Sequence, residues 1–294
     1  MTSSDQSVED NTLRINISGM KRPTERGSFS DVIRDLWNSR TLIYEESRSN
    51  ILTSNRRNKL GSIWVILNPL LNGIIYLVVF GLVFQLGEGS DNYIGFLIIG
   101  VFIFQMTSSS ISSSADSIFS GRKSAISMGL PLAMLPIMKT TERWLVGFPS
   151  YVVMLLMVLL VPPLENLSLL ALLFVPLIII QAVFTTGLSL LAAHFVAKVH
   201  DLKQVISIAV KGWMFGSGVM FSTEKLTEVH PAFIPFVEFN PMHHILTIAR
   251  DVLLYNTLPP MQSWITVVAW SVTTCGAGLL LIWSNQGRYD FGIE

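Results

Sequence analysis

Ile63 to Leu86 is an unbroken apolar run without a single charge, and Arg56, Arg57 and Lys59 stand just before it. At 1.5 Å per helical residue such a run is long enough to cross a hydrocarbon core of ~30 Å. Cations immediately ahead of an apolar run mark its cytosolic side. Everything upstream is therefore expected in the cytosol, and the segments downstream alternate from there. Only 14% of the 294 residues are charged and 50% are hydrophobic, against about 25% charged in soluble chains. The class is an all-α polytopic membrane protein. No basic face is large enough for a nucleic-acid footprint. The one cysteine, Cys275, lies in an apolar run and reads as a small buried hydrophobe. No signal peptide is expected, since the first apolar run starts so late.

Residues 1–27 are polar and read as a disordered cytosolic tail. From Ser28 to Tyr44, Phe29, Val32, Ile33, Leu36 and Trp37 follow helical spacing, with Ser30 or Asp31 as N-terminal caps and Asp31, Arg34, Asp35 and Arg40 opposite. This predicts an amphipathic helix lying in the membrane interface; the alternative is a helix packed on a soluble partner or on the protein's own loops. Residues 28–62 thus form an interfacial or gate helix followed by a polar, basic connector, Glu45 to Lys59. The connector's Arg56, Arg57 and Lys59 serve either as a positive-inside anchor or as an attractor for an anionic lipid headgroup such as a pyrophosphate.

Six spans are expected in 63–288, at about 63–86, 93–115, 144–161, 168–197, 204–222 and 262–284. Asn68-Pro69 predicts a kink in the first. The second grades into a serine run, Ser108–Ser114, whose hydroxyls either bond helix carbonyls or line a polar path. Residues 116–143 lie outside the membrane, broken by Pro131 and Pro136, with a short helix over Ser124–Leu130. The long fourth span tilts, kinks at Pro176 or protrudes. In the fifth, Gly212 and Gly216 permit close helix approach. Between the fifth and sixth lie pieces too short to span, read as re-entrant external helices. With both termini in the cytosol, 17 of 20 cations fall inside; Lys225 and Arg250 lie outside and Lys211 within a span. That distribution favours the six-span topology.

The sequence lacks a P-loop, an H-E-x-x-H motif and any clustered Cys/His pattern, so it predicts neither ATP binding nor a metal site. His243-His244, with Glu238 and Asp251 near by, reads as ordinary hydrogen bonding before it reads as a catalytic pair. Lys211 is the clear charge at membrane depth, either snorkelling to the cytosolic face or turned to a polar interior. Tyr76, Phe80, Phe84, Phe102, Phe104, Trp213, Phe215 and Phe221 either pack or line a conduit in which flat rings meet sugars.

Four stretches carry a family resemblance: RRNKLGSIWVILNPLL at Arg56–Leu71, with Gly61, Trp64, Asn68 and Pro69; the end of Ser124–Pro136; His200-Asp201; and FNPMHHILTIARDVLL at Phe239–Leu254, with Asn240, Pro241, Arg250 and Asp251. In order, they resemble the membrane subunit of an ABC-2-type polysaccharide exporter, the family that moves lipid-linked O-antigen, teichoic acid, galactan or capsule. The resemblance implies a cytoplasmic-membrane homodimer around one conduit. Two copies of a separate ATPase, which hold the ATP and Mg, drive it, and this chain binds no cofactor. It implies a polyprenyl-diphosphate-linked glycan approaching Arg56, Arg57 and Lys59. The span-one gate would hold Trp37, Gly61, Trp64, Asn68 and Pro69, and ATPase coupling would fall to Arg122, Lys123, Ser124, Ile126 and Met128. The conduit would be lined by Tyr76, Phe80, Phe84, Lys211, Trp213, Phe215 and Phe221. Competing readings are an ABC-2 permease for a drug or small lipid, and a membrane-embedded acyl- or glycosyltransferase using His243, His244 or Asp251. A proton-driven transporter would want intramembrane carboxylates, which the spans lack.

Overall fold

The computed structural model describes residues 28–55, 63–76, 78, 92–160, 168–221, 232, 234–286 and 289. Among them every regular element is helical. In chain order these are α1 (Phe29–Asn38), α2 (Arg40–Asn55), α3 (Ile63–Tyr76), α4 (Tyr93–Ser114), α5 (Ser117–Ser127) and α6 (Met134–Leu160). A 3₁₀ turn (Leu169–Leu173) then leads into α7 (Phe174–Lys198), followed by α8 (Leu202–Gly216), α9 (Ile234–Phe239), α10 (Pro241–Arg250), a π turn (Asp251–Tyr255) and α11 (Met261–Asn285). The tail 1–27, the basic residues 56–59 and the second half of the first expected span lie outside the described residues.

Among the described residues, four stretches are long and apolar enough to cross a membrane: Tyr93–Ser114, Met134–Leu160, Leu169–Lys198 and Met261–Asn285. The most apolar part of α4 is 72% buried inside the protein, whereas the other three are 17–28% buried. So α4 is the central post, and the others turn much of their surface outward. In a bilayer the hydrophobic effect does not hold helices together; close packing and hydrogen bonds do. Both are present around α4. Gln181 of α7 donates to Ile103 O (3.1 Å) and to Thr107 Oγ1 (3.0 Å), and accepts from the Tyr151 hydroxyl of α6 (2.9 Å). This buried knot joins three helices at once. The Ser109 and Ser110 hydroxyls bond the Met106 carbonyl, and Ser114 pairs with Thr140 at 3.0 Å. These hydroxyls of the serine run are thus spent on helix carbonyls and on α6.

Small residues set the tightest contact. A Cβ on Gly187 of α7 would lie 2.5 Å from Cys275 N, and one on Gly278 of α11 would lie 2.6 Å from Leu190 Cβ. The two helices meet nearly backbone to backbone. The expected close approach at Gly212 is not made by the described residues: none has an atom within 4 Å of where its Cβ would be. Among the described residues Gly216 faces the Phe236 ring.

Several boundaries differ from expectation. α6 begins at Met134, well before the expected third span. Met134, Pro136 and Thr140 are buried there, and Lys139 pairs with Glu142 at 2.9 Å. Pro136 does not break the chain, because in the first helical turn its missing N–H has no partner to lose. Pro176 likewise sits in the first turn of α7, where the 3₁₀ turn becomes α-helix, so no kink is needed. α5 starts at Ser117 and not Ser124. It closes on Gly129 (φ +67°) with Leu130 N bonded to Ala125 O, a glycine-terminated helix end.

The N-terminal amphipathic segment is two helices that part at Ser39. Its cap is Ser28, whose N–H bonds the Asp31 carboxylate (2.9 Å). α2 continues as helix to Asn55, through most of the expected connector, because Ile43 and Ser47 are buried along one thin seam. The Ser47 hydroxyl lies 3.0 Å from Met138 O of α6. Phe29 of α1 meets Trp283 of α11 edge to face at 5.7 Å.

Candidate functional site

α8 is the helix with most to offer a partner or a passing molecule. Fifteen residues long, it reaches ~22 Å, short of a full crossing. One side packs inward. Val210 is buried, and the Trp213 ring stands edge-on to Phe104 (5.7 Å) and Phe184 (6.3 Å). The other side is open: Val205, Ile208 and Phe215 are 52–64% exposed, and Lys211 and Gly212 share that side. Of the expected conduit residues, Lys211 and Phe215 lie on this open side and Phe221 at its outer end. Trp213 is turned inward, as are Phe102 and Phe104 of α4, which are buried. The side chains of Tyr76, Phe80 and Phe84 lie outside the described residues.

The outer end of α8 is held by a set of caps. The last carbonyls of a helix lack intrahelical partners and carry partial negative charge. Here the helix stops at Gly216, and Gly218 takes the left-handed conformation (φ +68°) that turns the chain. Three side chains then collect the freed carbonyls. Asn240 Nδ2 donates to Gly216 O (3.1 Å) and Ser217 Oγ (3.1 Å); Arg250 Nη2 donates to Val219 O (3.1 Å); the Tyr93 hydroxyl donates to Met220 O (2.8 Å). Arg250 Nη2 also reaches Phe96 O (3.2 Å), and the guanidinium lies over the Phe96 ring at 3.3 Å. Arg250 is 6% exposed. No carboxylate lies within ion-pairing distance of it among the described residues; a helix end and an aromatic face take that place. Gly100 makes room, since a Cβ there would lie 2.5 Å from Val219 O and 2.7 Å from Arg250 Nη2.

The short helices α9 and α10 are the main source of these caps. Asn240 Oδ1 accepts from Met242 N (3.0 Å) and from Trp213 Nε1 (3.0 Å), with Pro241 at the first helical position. One asparagine thus starts α10 and finishes α8. Asp251 does not join its neighbour Arg250 in an ion pair. His244 places Nε2 2.7 Å from Glu238 O and Nδ1 3.0 Å from Ser263 Oγ. A carbonyl can only accept, so Nε2 carries the proton and Nδ1 accepts from the serine. Both ring nitrogens are committed, and the pair is not built as a catalytic dyad.

Past the end of α4, α5 divides its residues. Lys123, Ser124 and Met128 are exposed, Met128 by 71%. Ile126 packs toward a small cluster with Ile118, Leu132 and Ala193, and Arg122 donates to the Tyr289 carbonyl. The expected coupling residues therefore form two groups, one facing out and one facing in. On α1, Val32 is buried while Ile33 and Trp37 are exposed, and Arg40 stacks on the Trp37 ring at 5.2 Å. Asn68 is exposed on α3. Arg56, Arg57, Lys59 and Gly61, and the side chains of Trp64 and Pro69, lie outside the described residues. Among the described residues no cluster of three His, Cys, Asp or Glu could hold a metal.

Membrane-length helices around a central post, with one half-covered helix capped at its C-terminal end, define a helical membrane protein. The chain belongs to the ABC-2 type transporter family, whose pattern matches residues 43–254. It is similar to the O-antigen export system permease protein RfbA of Klebsiella pneumoniae, 27% identical over 69% of this chain and 76% of the relative. It is also similar to the protein of the same name from Myxococcus xanthus, 22% identical over 88% of this chain and 95% of the relative.

Proposed function

We infer that this chain is the membrane subunit of an ABC exporter of polysaccharide. The two relatives share that role by name and match most of the chain. The observation that carries the reading is the open side of α8. An apolar helix side with an exposed lysine at mid-helix is left exposed among the described residues, and in a bilayer it needs a second protein surface or a polar path beside it. Two copies, arranged with α3 and α8 toward each other, supply both. The chain crosses the inner membrane six times, with α3 and α8 contributing the first and fifth crossings and both termini in the cytosol.

In this arrangement the work comes from a separate cytosolic ATPase, which holds ATP and Mg. It bears on the exposed residues of α5, Lys123, Ser124 and Met128, and on α1. The substrate is a glycan on a polyprenyl diphosphate. Its headgroup meets Arg56, Arg57 and Lys59 before the sugar passes Lys211, Phe215 and Phe221. Trp37 lies in the interface at the start of this path.

The test is deletion of the gene, with lipid-linked glycan measured on each face of the inner membrane. Accumulation on the cytosolic face, relieved by the wild-type chain, is expected. Unchanged glycan display, or activity of the purified subunit with no ATPase present, would sink the reading. A drug or small-lipid permease would instead show normal glycan display and altered resistance or lipid asymmetry.

A further inference from the structure

The inner end of α8 carries a link as specific as its outer caps. Asp116 sits in the short turn between α4 and α5. Its Oδ2 accepts from Lys203 Nζ at 3.2 Å, and Lys203 is in the first turn of α8. Asp116 Oδ1 is buried and has no hydrogen-bond donor; His200 Nδ1, in the turn between α7 and α8, lies 3.5 Å away without hydrogen-bond alignment. The Phe119 ring of α5 covers the His200 ring with centroids 4.4 Å apart. One carboxylate and one ring thus tie the start of α5 to the start of α8.

The pair is half in water, with Asp116 30% and Lys203 48% exposed. Such pairs contribute little to stability. Its value lies in where it is. α5 offers Lys123, Ser124 and Met128 outward, while α8 offers its open side to whatever passes. An ion pair is not strongly directional, so it holds through a displacement of an ångström or two that would break a tightly packed contact. It suits a joint between two elements that shift against each other.

We propose that Asp116 is a positioning residue that, through Lys203 and His200, delivers displacement of α5 by a bound ATPase to the half-covered helix α8. This rests on the reading of α5 as the element the ATPase bears on.

The test uses the full chain assembled with its ATPase in lipid nanodiscs. Cys275→Ser removes the native thiol and Ile208→Cys places a reporter on the open side of α8. The rate of maleimide labelling is compared between nucleotide-free and ATP-trapped complexes. A difference of about fivefold is expected in this parent, the scale of ordinary coupling between sites. Asp116→Asn or Lys203→Gln reduces the difference to near unity while the ATPase still co-purifies. The exchange Asp116→Lys with Lys203→Asp restores most of it. A merely structural role would not respond to charge exchange in this way. Single variants that respond like the parent, an exchange that restores nothing, a parent whose labelling ignores nucleotide, or single variants that shed the ATPase would each overturn the proposal. A parent that binds no ATPase at all would instead overturn the exporter reading, before any labelling is done.

Discussion

Arg250 Nη2 lies 3.1 Å from Val219 O, and this contact joins the external helix α10 to the turn that ends α8. A cation at the end of a helix is stabilised by the carbonyls it meets, and those carbonyls lose their partner if it goes. The same nitrogen reaches Phe96 O, so three chain segments depend on one guanidinium.

Arg250→Met is therefore expected to destabilise the protein by about 1–3 kcal/mol, since the buried Val219 carbonyl is left without this donor. Arg250→Lys recovers only part, because an ammonium cannot reproduce the flat stack on Phe96. Thermal unfolding in detergent measures both. An Arg250→Lys variant as stable as the wild type would contradict the stacking argument.

Glycine substitutions separate packing from the open side. Gly187→Ala and Gly100→Ala place a methyl within 2.5 Å of backbone atoms, so each costs on the order of 1–3 kcal/mol. Gly212→Ala meets nothing within 4 Å among the described residues and removes a helix-weakening residue, so the isolated chain keeps or slightly gains stability. If α8 faces a second copy or a substrate, glycan export falls all the same. The pair of readouts is melting temperature against export.

Gln181→Leu removes a side chain that serves α4, α6 and α7 together. It leaves the Tyr151 hydroxyl without its acceptor in the core, at a cost of about 1–3 kcal/mol. The double variant with Tyr151→Phe is expected to lose less than the sum of the single changes. Simple additivity in denaturation would show that the knot is not a unit.

Tyr289 follows α11 and places its hydroxyl 2.6 Å from His194 Nδ1. Burial pushes its phenol up from the ordinary tyrosine range. The folded state therefore holds the proton more tightly than the unfolded one. The contribution is constant below the unfolded value of about 10, and it is lost progressively as pH rises from there through the raised folded value. Stability should be unaffected by this group from about pH 6 to 9. Tyr289→Phe should remove the alkaline loss while lowering stability throughout by about 1 kcal/mol. Denaturation followed across pH checks both.

What could be read from the residues was set by abrupt changes in charge. α4, α7 and α11 begin and end within a few residues of the uncharged runs that predict them. An asparagine cap and a first-turn proline act locally, so the helix start at Asn240-Pro241, noted above only for its family resemblance, was in principle legible. The start of α6 was not, since Lys139, Glu142 and Arg143 look like a loop until Met134 and Thr140 are seen buried beneath them. Nor was α2's reach to Asn55, because a helix buried along one thin seam leaves a polar sequence. The caps on α8 could not be foreseen for a different reason. Arg250 and Val219 are 31 positions apart, and nothing in either segment's own spacing marks a guanidinium as the partner of a distant carbonyl. Asp116 stands at the edge of the expected segment 116–143 and Lys203 between the fourth and fifth expected spans, and only folding puts them face to face.

The glycine contact between α7 and α11 has a mechanical consequence. Two rods whose backbones touch have no side-chain layer between them to slip along, so they tilt and bend as one beam. Beside such a beam α8 is a slat hung between two hooks, one ionic and one made of carbonyl bonds, and its stiffness is that of the hooks.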